Sequence, residues 1–158
     1  AETSQVDCHS IRWLDQHERN PLPTTIIWDR RATCDRSGNE EQGFWPTPEK
    51  SMLFYWLGLD RYNKEGEVDA TRIVVEAGKQ NRIRVKEIGN FVNFYLSPDL
   101  FDLEKEVVVE MEGRTLKARP NLSLKTLVRS LLDRGDPNYL FPACLTLSRN
   151  PEGTWLLE

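Results

Sequence analysis

Histidine and cysteine are the residue types in this chain best suited to metal binding or nucleophilic catalysis. His9 and His17 are eight residues apart, whereas two-ligand sites on one helix use a spacing of three or four residues. Cys8, Cys34 and Cys144 form no C-x-x-C pair, and no serine lies in a G-x-S-x-G motif. The pattern therefore predicts no catalytic residue, no metal site and no cofactor.

Acid/base catalysis would require two carboxylates at a defined separation. Glu40, Glu41, Asp60 and Asp69 lie in polar segments, but the chain has 25 acidic residues and the spacing singles out no pair. A self-standing hydrolase is therefore the least favoured of three functional hypotheses.

Aromatic residues in polar segments are a stronger binding signal. Phe44 and Trp45 lie in a long segment that is rich in glycine, proline and acidic residues, and Tyr62 lies in the next such segment. Exposed rings can stack on a sugar or anchor a protein partner, although the same rings can also fold back and be buried, which we favour. Phe44, Trp45 and Tyr62 are the candidate binding residues, and a carbohydrate-binding module is the alternative function.

Two short motifs have a local explanation. Arg134, Gly135 and Asp136 spell the tripeptide that integrins read, yet a cation at a helix end, a left-handed cap and an acidic turn residue account for them. Asn121 to Ser123 match a glycosylation sequon, but Asn121 or Ser123 also suits a helix N-cap. We interpret both motifs as helix ends.

Composition limits the class of protein further. A length of 158 residues suits one domain. The longest apolar run, residues 52–59, is far shorter than the ~20 residues of a membrane-spanning helix. A net charge of -4 with scattered basic residues argues against a nucleic-acid partner.

Hydrophobic periodicity predicts a mostly β fold. Alternation of apolar and polar residues between Thr71 and Arg119 is typical of antiparallel strands packed on a second layer. We expect an antiparallel, immunoglobulin-like β-sandwich with an N-terminal helix and one packed amphipathic helix. The predicted strands are residues 24–31, 51–60, 72–77, 82–86, 91–96, 106–112, 114–119 and 142–149.

Two helices complete the prediction. The first covers about residues 5–18, carries Val6, Trp13 and Leu14 on one face, and ends before the prolines at 21 and 23. The second follows Pro120. Its apolar stripe, which we expect to cover part of the sheet or one end of it, consists of Leu124, Leu127, Val128, Leu131 and Leu132.

Several segments taken together resemble a known family. They are residues 11–23, Ile26–Asp29, Phe54–Leu57, Asn93–Asp99, Asp102–Val107 and the second helix with the turn that follows it. They are similar to the C-terminal β-sandwich domain that follows the catalytic domain in bacterial α/β-hydrolases of the prolyl-oligopeptidase and esterase type.

The resemblance implies a non-catalytic accessory domain of a larger enzyme. Residues 1–20 would form a terminal helix at the end of the upstream hydrolase domain, residues 21–158 would form the sandwich, and no residue of a catalytic triad maps onto this chain. The implied partner is that catalytic domain. Without it, the apolar stripe of the N-terminal helix would either lie loosely against the sandwich or pair with a second copy of the chain. The resemblance also implies an exported bacterial protein.

Overall fold

The computed structural model describes residues 20–29, 53–59, 72–137 and 139–158. The strands in these ranges are β1 (Thr25–Asp29), β2 (Leu53–Phe54), β3 (Leu57–Gly58), β4 (Arg72–Gly78), β5 (Arg82–Glu87), β6 (Phe91–Leu96), β7 (Val107–Met111), β8 (Arg114–Ala118), β9 (Ala143–Arg149) and β10 (Trp155–Leu157). Helix α1 (Leu124–Arg134) lies between β8 and β9. The predicted N-terminal helix lies outside the described residues, which begin at Asn20, so the domain boundary placed after residue 20 stays a prediction.

The described strands form two five-stranded sheets, which confirms a β-rich fold. The first sheet has the order β1-β4-β5-β7-β8 and the second the order β10-β9-β6-β3-β2. The expectation of purely antiparallel pairing is wrong at one place, because β5 and β7 are parallel, with Ile83 opposite Val109. The chain leaves the first sheet after β5, forms β6 in the second sheet and returns beside β5 in the same direction.

Side chains from both sheets belong to one buried core. Its largest fully buried members include Trp28 on β1, Trp56 beside β3, Phe94 on β6 and Phe141 before β9. Alternate residues of β4, β5, β7 and β9 point into this core, as the period of two predicts. Removing these side chains from water is the main favourable contribution to folding.

The prediction of one strand over residues 51–60 is wrong, because residues 53–59 contain a hairpin. Leu53 pairs with Gly58, and Phe54 pairs with Leu57, across a turn at Tyr55 and Trp56. Tyr55 has a φ of 52°. Two-residue hairpins need such left-handed backbone, which glycine and asparagine favour and a bulky residue rarely adopts. The sequence Tyr-Trp therefore carries no turn signal.

Gly58 on β3 offers a test of how closely this hairpin packs on β6. A Cβ atom at Gly58 would lie 2.6 Å from Cε2 of Tyr95, whose side chain is itself buried. We therefore expect Gly58→Ala to lower the free energy of unfolding by about 1–3 kcal/mol through overpacking. Gly78→Ala is the matched control, because its Cβ would approach no atom closer than 3.7 Å. Urea unfolding of both variants measures the difference, and equal free energies would contradict close packing at Gly58.

Candidate interaction site on helix α1

The candidate binding residues Phe44, Trp45 and Tyr62 lie outside the described residues, so the carbohydrate-binding hypothesis stays a prediction. The same holds for His9, His17, Cys8, Cys34, Glu40, Glu41, Asp60 and Asp69. Cys144 is described. Its half-buried side chain lies on β9, directly opposite Tyr95 of β6.

Both ends of α1 are fixed by capping contacts that the sequence indicates. Of the two candidate N-caps, Ser123 takes the role, since its Oγ accepts a hydrogen bond from the backbone N–H of Thr126 at 3.2 Å. Gly135 has a φ of 66°, and its N–H donates to the carbonyl of Leu131 at 2.7 Å. The Arg-Gly-Asp tripeptide is therefore the C-terminal end of α1.

The inner face of α1 is held by a buried serine. Ser130 is fully buried. Its Oγ donates a hydrogen bond to the carbonyl of Leu127 at 2.8 Å and accepts one from the backbone N–H of Phe141 at 3.1 Å. Buried polar groups are tolerated when they are paired in this way. This contact joins the middle of the helix to the segment that leads into β9.

The last residue of α1 packs among three aromatic rings. The guanidinium carbon of Arg134 lies 4.7 Å from the ring centroid of Phe141, 4.8 Å from that of Tyr139 and 5.4 Å from that of Tyr95. Its Nε and Nη2 atoms are buried without a hydrogen-bond partner. A cation among aromatic faces is stabilised by the ring quadrupoles, and N–H groups can donate to those faces. The cluster therefore fixes the C-terminal end of α1 on the second sheet.

Burial shifts the pKa values of the charged and phenolic groups in this cluster. Burial lowers the pKa of Arg134. Burial also raises the pKa of Tyr95, and Cys144 raises it further, while the positive charges of Arg129 and Arg134 lower it. A guanidinium keeps its charge at neutral pH, and the raised pKa of Tyr95 keeps its phenol neutral there.

The outer face of α1 exposes apolar side chains. The exposed fraction is 76% for Leu124, 47% for Val128, 38% for Leu131 and 78% for Leu132, and it is 63% for Leu122 just before the helix. We call these five residues the leucine face. Exposed apolar patches of this kind typically mark interaction surfaces.

The prediction that the apolar stripe of α1 covers the sheet is wrong. Only Leu127 of the five predicted residues is turned partly inward. The helix has the opposite orientation because Ser130 and Arg134, on its other side, make the specific contacts with Phe141 and the aromatic rings. Amphipathic periodicity finds the stripe but does not say which side faces the protein. The available signal was the pair of aromatic residues at 139 and 141, close to an arginine at the helix end.

Comparisons with protein-family models, with curated proteins and with solved structures found no match for this chain. Within the described residues, no group of three or more histidine, cysteine or acidic side chains is arranged to hold a metal ion. The helix described in this structure, α1, is 11 residues long, too short to cross a membrane. The leucine face is therefore the candidate site that the described part of the chain offers.

Proposed function

We propose that the chain is a non-catalytic interaction domain that mediates assembly through the leucine face. The orientation of α1 carries this proposal. The capped ends, the Ser130 contact and the Arg134 cluster all hold the helix with its most apolar side toward solvent. Specific contacts fix α1 in this orientation, so its exposed apolar side is not the result of loose packing. A binding role explains such a surface.

We further propose that the domain is an immunoglobulin-like β-sandwich, accessory to a larger exported bacterial α/β-hydrolase whose catalytic domain lies upstream. The support is the residue resemblance, together with two sheets that share one core. Two of the resembling segments, Ile26–Asp29 and Asn93–Asp99, belong to or directly continue β1 and β6. In this proposal the hydrolase supplies the chemistry, and this domain supplies contacts that shape substrate access or join protomers.

Activity measurements test the non-catalytic role. We expect the purified chain to hydrolyse p-nitrophenyl esters and peptide anilides no faster than buffer, with a known esterase as the positive control. Turnover that survives purification and rises in proportion to chain concentration would contradict the proposal.

The gene tests the proposed link to a hydrolase. We expect the coding sequence upstream of Ala1 to encode a G-x-S-x-G nucleophile elbow. An upstream sequence without such a motif would remove the hydrolase from the proposal, while the interaction role would still rest on α1.

A further inference from the structure

We propose that the leucine face binds the leucine face of a second copy of this chain, with the two α1 helices antiparallel. This inference rests on the proposed interaction role and names its partner. The leucine face lies within residues 122–132. It is therefore a different surface from the N-terminal helix, through which the sequence suggests self-association.

The spacing of the leucine face suits packing against another helix. Leu124, Val128, Leu131 and Leu132 recur at i, i+4, i+7 and i+8, so they form one stripe over the length of the helix. Stripes of this period pack side by side when two helices associate. An antiparallel arrangement centred near Val128 places Leu124 of each protomer beside Leu132 of its partner. The interface is then symmetric, because both protomers use the same surface.

The charged residues beside the stripe favour the antiparallel direction. Lys125, Arg129 and Asp133 follow one flank of the leucine face, from the N-terminal end of α1 to its C-terminal end, and within the helix Asp133 already pairs with Arg129 at 3.6 Å. In an antiparallel pair, the same flanks of both helices meet while running in opposite directions. Lys125 of each protomer then lies near Asp133 of its partner, and such flanking charges select partner and orientation. Antiparallel helix dipoles also attract each other.

The size of the leucine face indicates a weak dimer. The exposed fractions of its five residues add up to about three whole leucines per protomer. A leucine buries less area than the about 150–250 Å² of an aromatic side chain, so the face supplies under about 600 Å² per protomer. A standard interface buries about 800 Å² on each partner. We therefore expect dimers that dissociate on dilution through the micromolar range.

Sedimentation equilibrium of the full chain over a dilution series tests the surface. We expect wild-type chain to dimerise, and Leu132→Glu to raise the dissociation constant about tenfold or more, the factor that a loss of about 1.4 kcal/mol produces. Ile27→Glu is the matched control, because Ile27 on β1 is 56% exposed and lies in the other sheet. Unchanged circular dichroism and melting temperature of Leu132→Glu, measured at concentrations where both chains are monomeric, exclude misfolding as the cause. A monomer at every concentration, or a dimer that Leu132→Glu leaves intact, would overturn the proposal.

Charge reversal tests the orientation. Lys125→Glu and Asp133→Lys should each weaken the dimer several-fold, because each places like charges opposite one another. The double variant should restore most of the affinity, because the opposite charges meet again with their positions exchanged. Both reversals suit the helix dipole, but Asp133→Lys also removes the ion pair between Arg129 and Asp133 within α1. Circular dichroism of each variant therefore has to show that α1 remains folded. A double variant as weak as the single variants would overturn the antiparallel arrangement.

The two proposals fail in different ways. A monomeric chain that hydrolyses no substrate would remove the second copy as the partner and leave the non-catalytic interaction role in place. Hydrolysis by the purified chain would contradict the proposed function whatever its oligomeric state.

Discussion

Trp56→Ala is expected to lower the free energy of unfolding by about 3–5 kcal/mol, the usual cost of truncating a large buried aromatic side chain. Trp56 is fully buried. Its ring centroid lies 5.7 Å from that of Phe101 and 6.1 Å from that of Phe94. The side chain therefore joins the β2–β3 hairpin to β6 and to the turn that follows β6, and alanine would leave a cavity between them.

A second contact makes Trp56 a link between sheets. Its Nε1 donates a hydrogen bond to the carbonyl of Pro23, just before β1, at 2.8 Å. Trp56→Phe keeps most of the apolar contact but loses this donor, so it should cost about 0.5–1.5 kcal/mol, the net contribution of a typical hydrogen bond, because the Pro23 carbonyl is only partly buried. Guanidinium unfolding followed by circular dichroism measures both variants. A loss of less than 1 kcal/mol for alanine, by the scale of buried aromatic truncations, would contradict the position given to the indole.

Arg134→Ala is expected to lower the free energy of unfolding by about 2–4 kcal/mol. The change removes three cation–π contacts, each worth about 0.5–2 kcal/mol depending on burial, and the packing of the arginine stem among the rings. Arg134→Lys is an informative control, since a compact ammonium lacks the flat guanidinium that stacks on several faces. We expect lysine to recover only part of the loss.

An alkaline titration of Arg134→Met gives a second readout. The positive charge of Arg134 lowers the pKa of Tyr95 in the folded protein, against the larger effect of burial. Arg134→Met removes this charge but keeps an apolar side chain over the ring, so it should raise that pKa further above 10.0, the ordinary value. Because the raised pKa favours the neutral phenol, the contribution of Tyr95 to stability is complete below pH 10 and declines as the pH rises from there. Absorbance of the phenolate follows the titration, and an unchanged Tyr95 pKa would contradict the contact with Arg134.

Local patterns predict much of the fold. The alternation of Ile83 and Val85, and that of Ala143, Leu145 and Leu147, places each set on one buried face. These strands are long enough for a period of two to be read. The ends of α1 could be predicted equally well, because helix caps depend on single residues with strong backbone preferences.

Features that depend on distant contacts could not be predicted. The left-handed Tyr55 is imposed by packing around Trp56 and Gly58, whereas its own preference opposes it. The three residues of β10 are too few to show a period, and their pairing with β9 fixes them. At the candidate site, periodicity found the stripe of α1, but its orientation follows from Arg134 meeting rings that lie on β6 and before β9.

The parallel pairing of β5 with β7 has a consequence for how the molecule folds. Along the described chain, groups of one or two strands in the first sheet alternate with groups of one or two strands in the second, and β6 of the second sheet comes between β5 and β7. Neither sheet is built from one continuous stretch of chain. The two sheets should therefore form and melt together as a single cooperative unit. We expect the folding rate to be limited by closing the loop from β5 through β6 to β7, rather than by forming a local hairpin such as β4–β5.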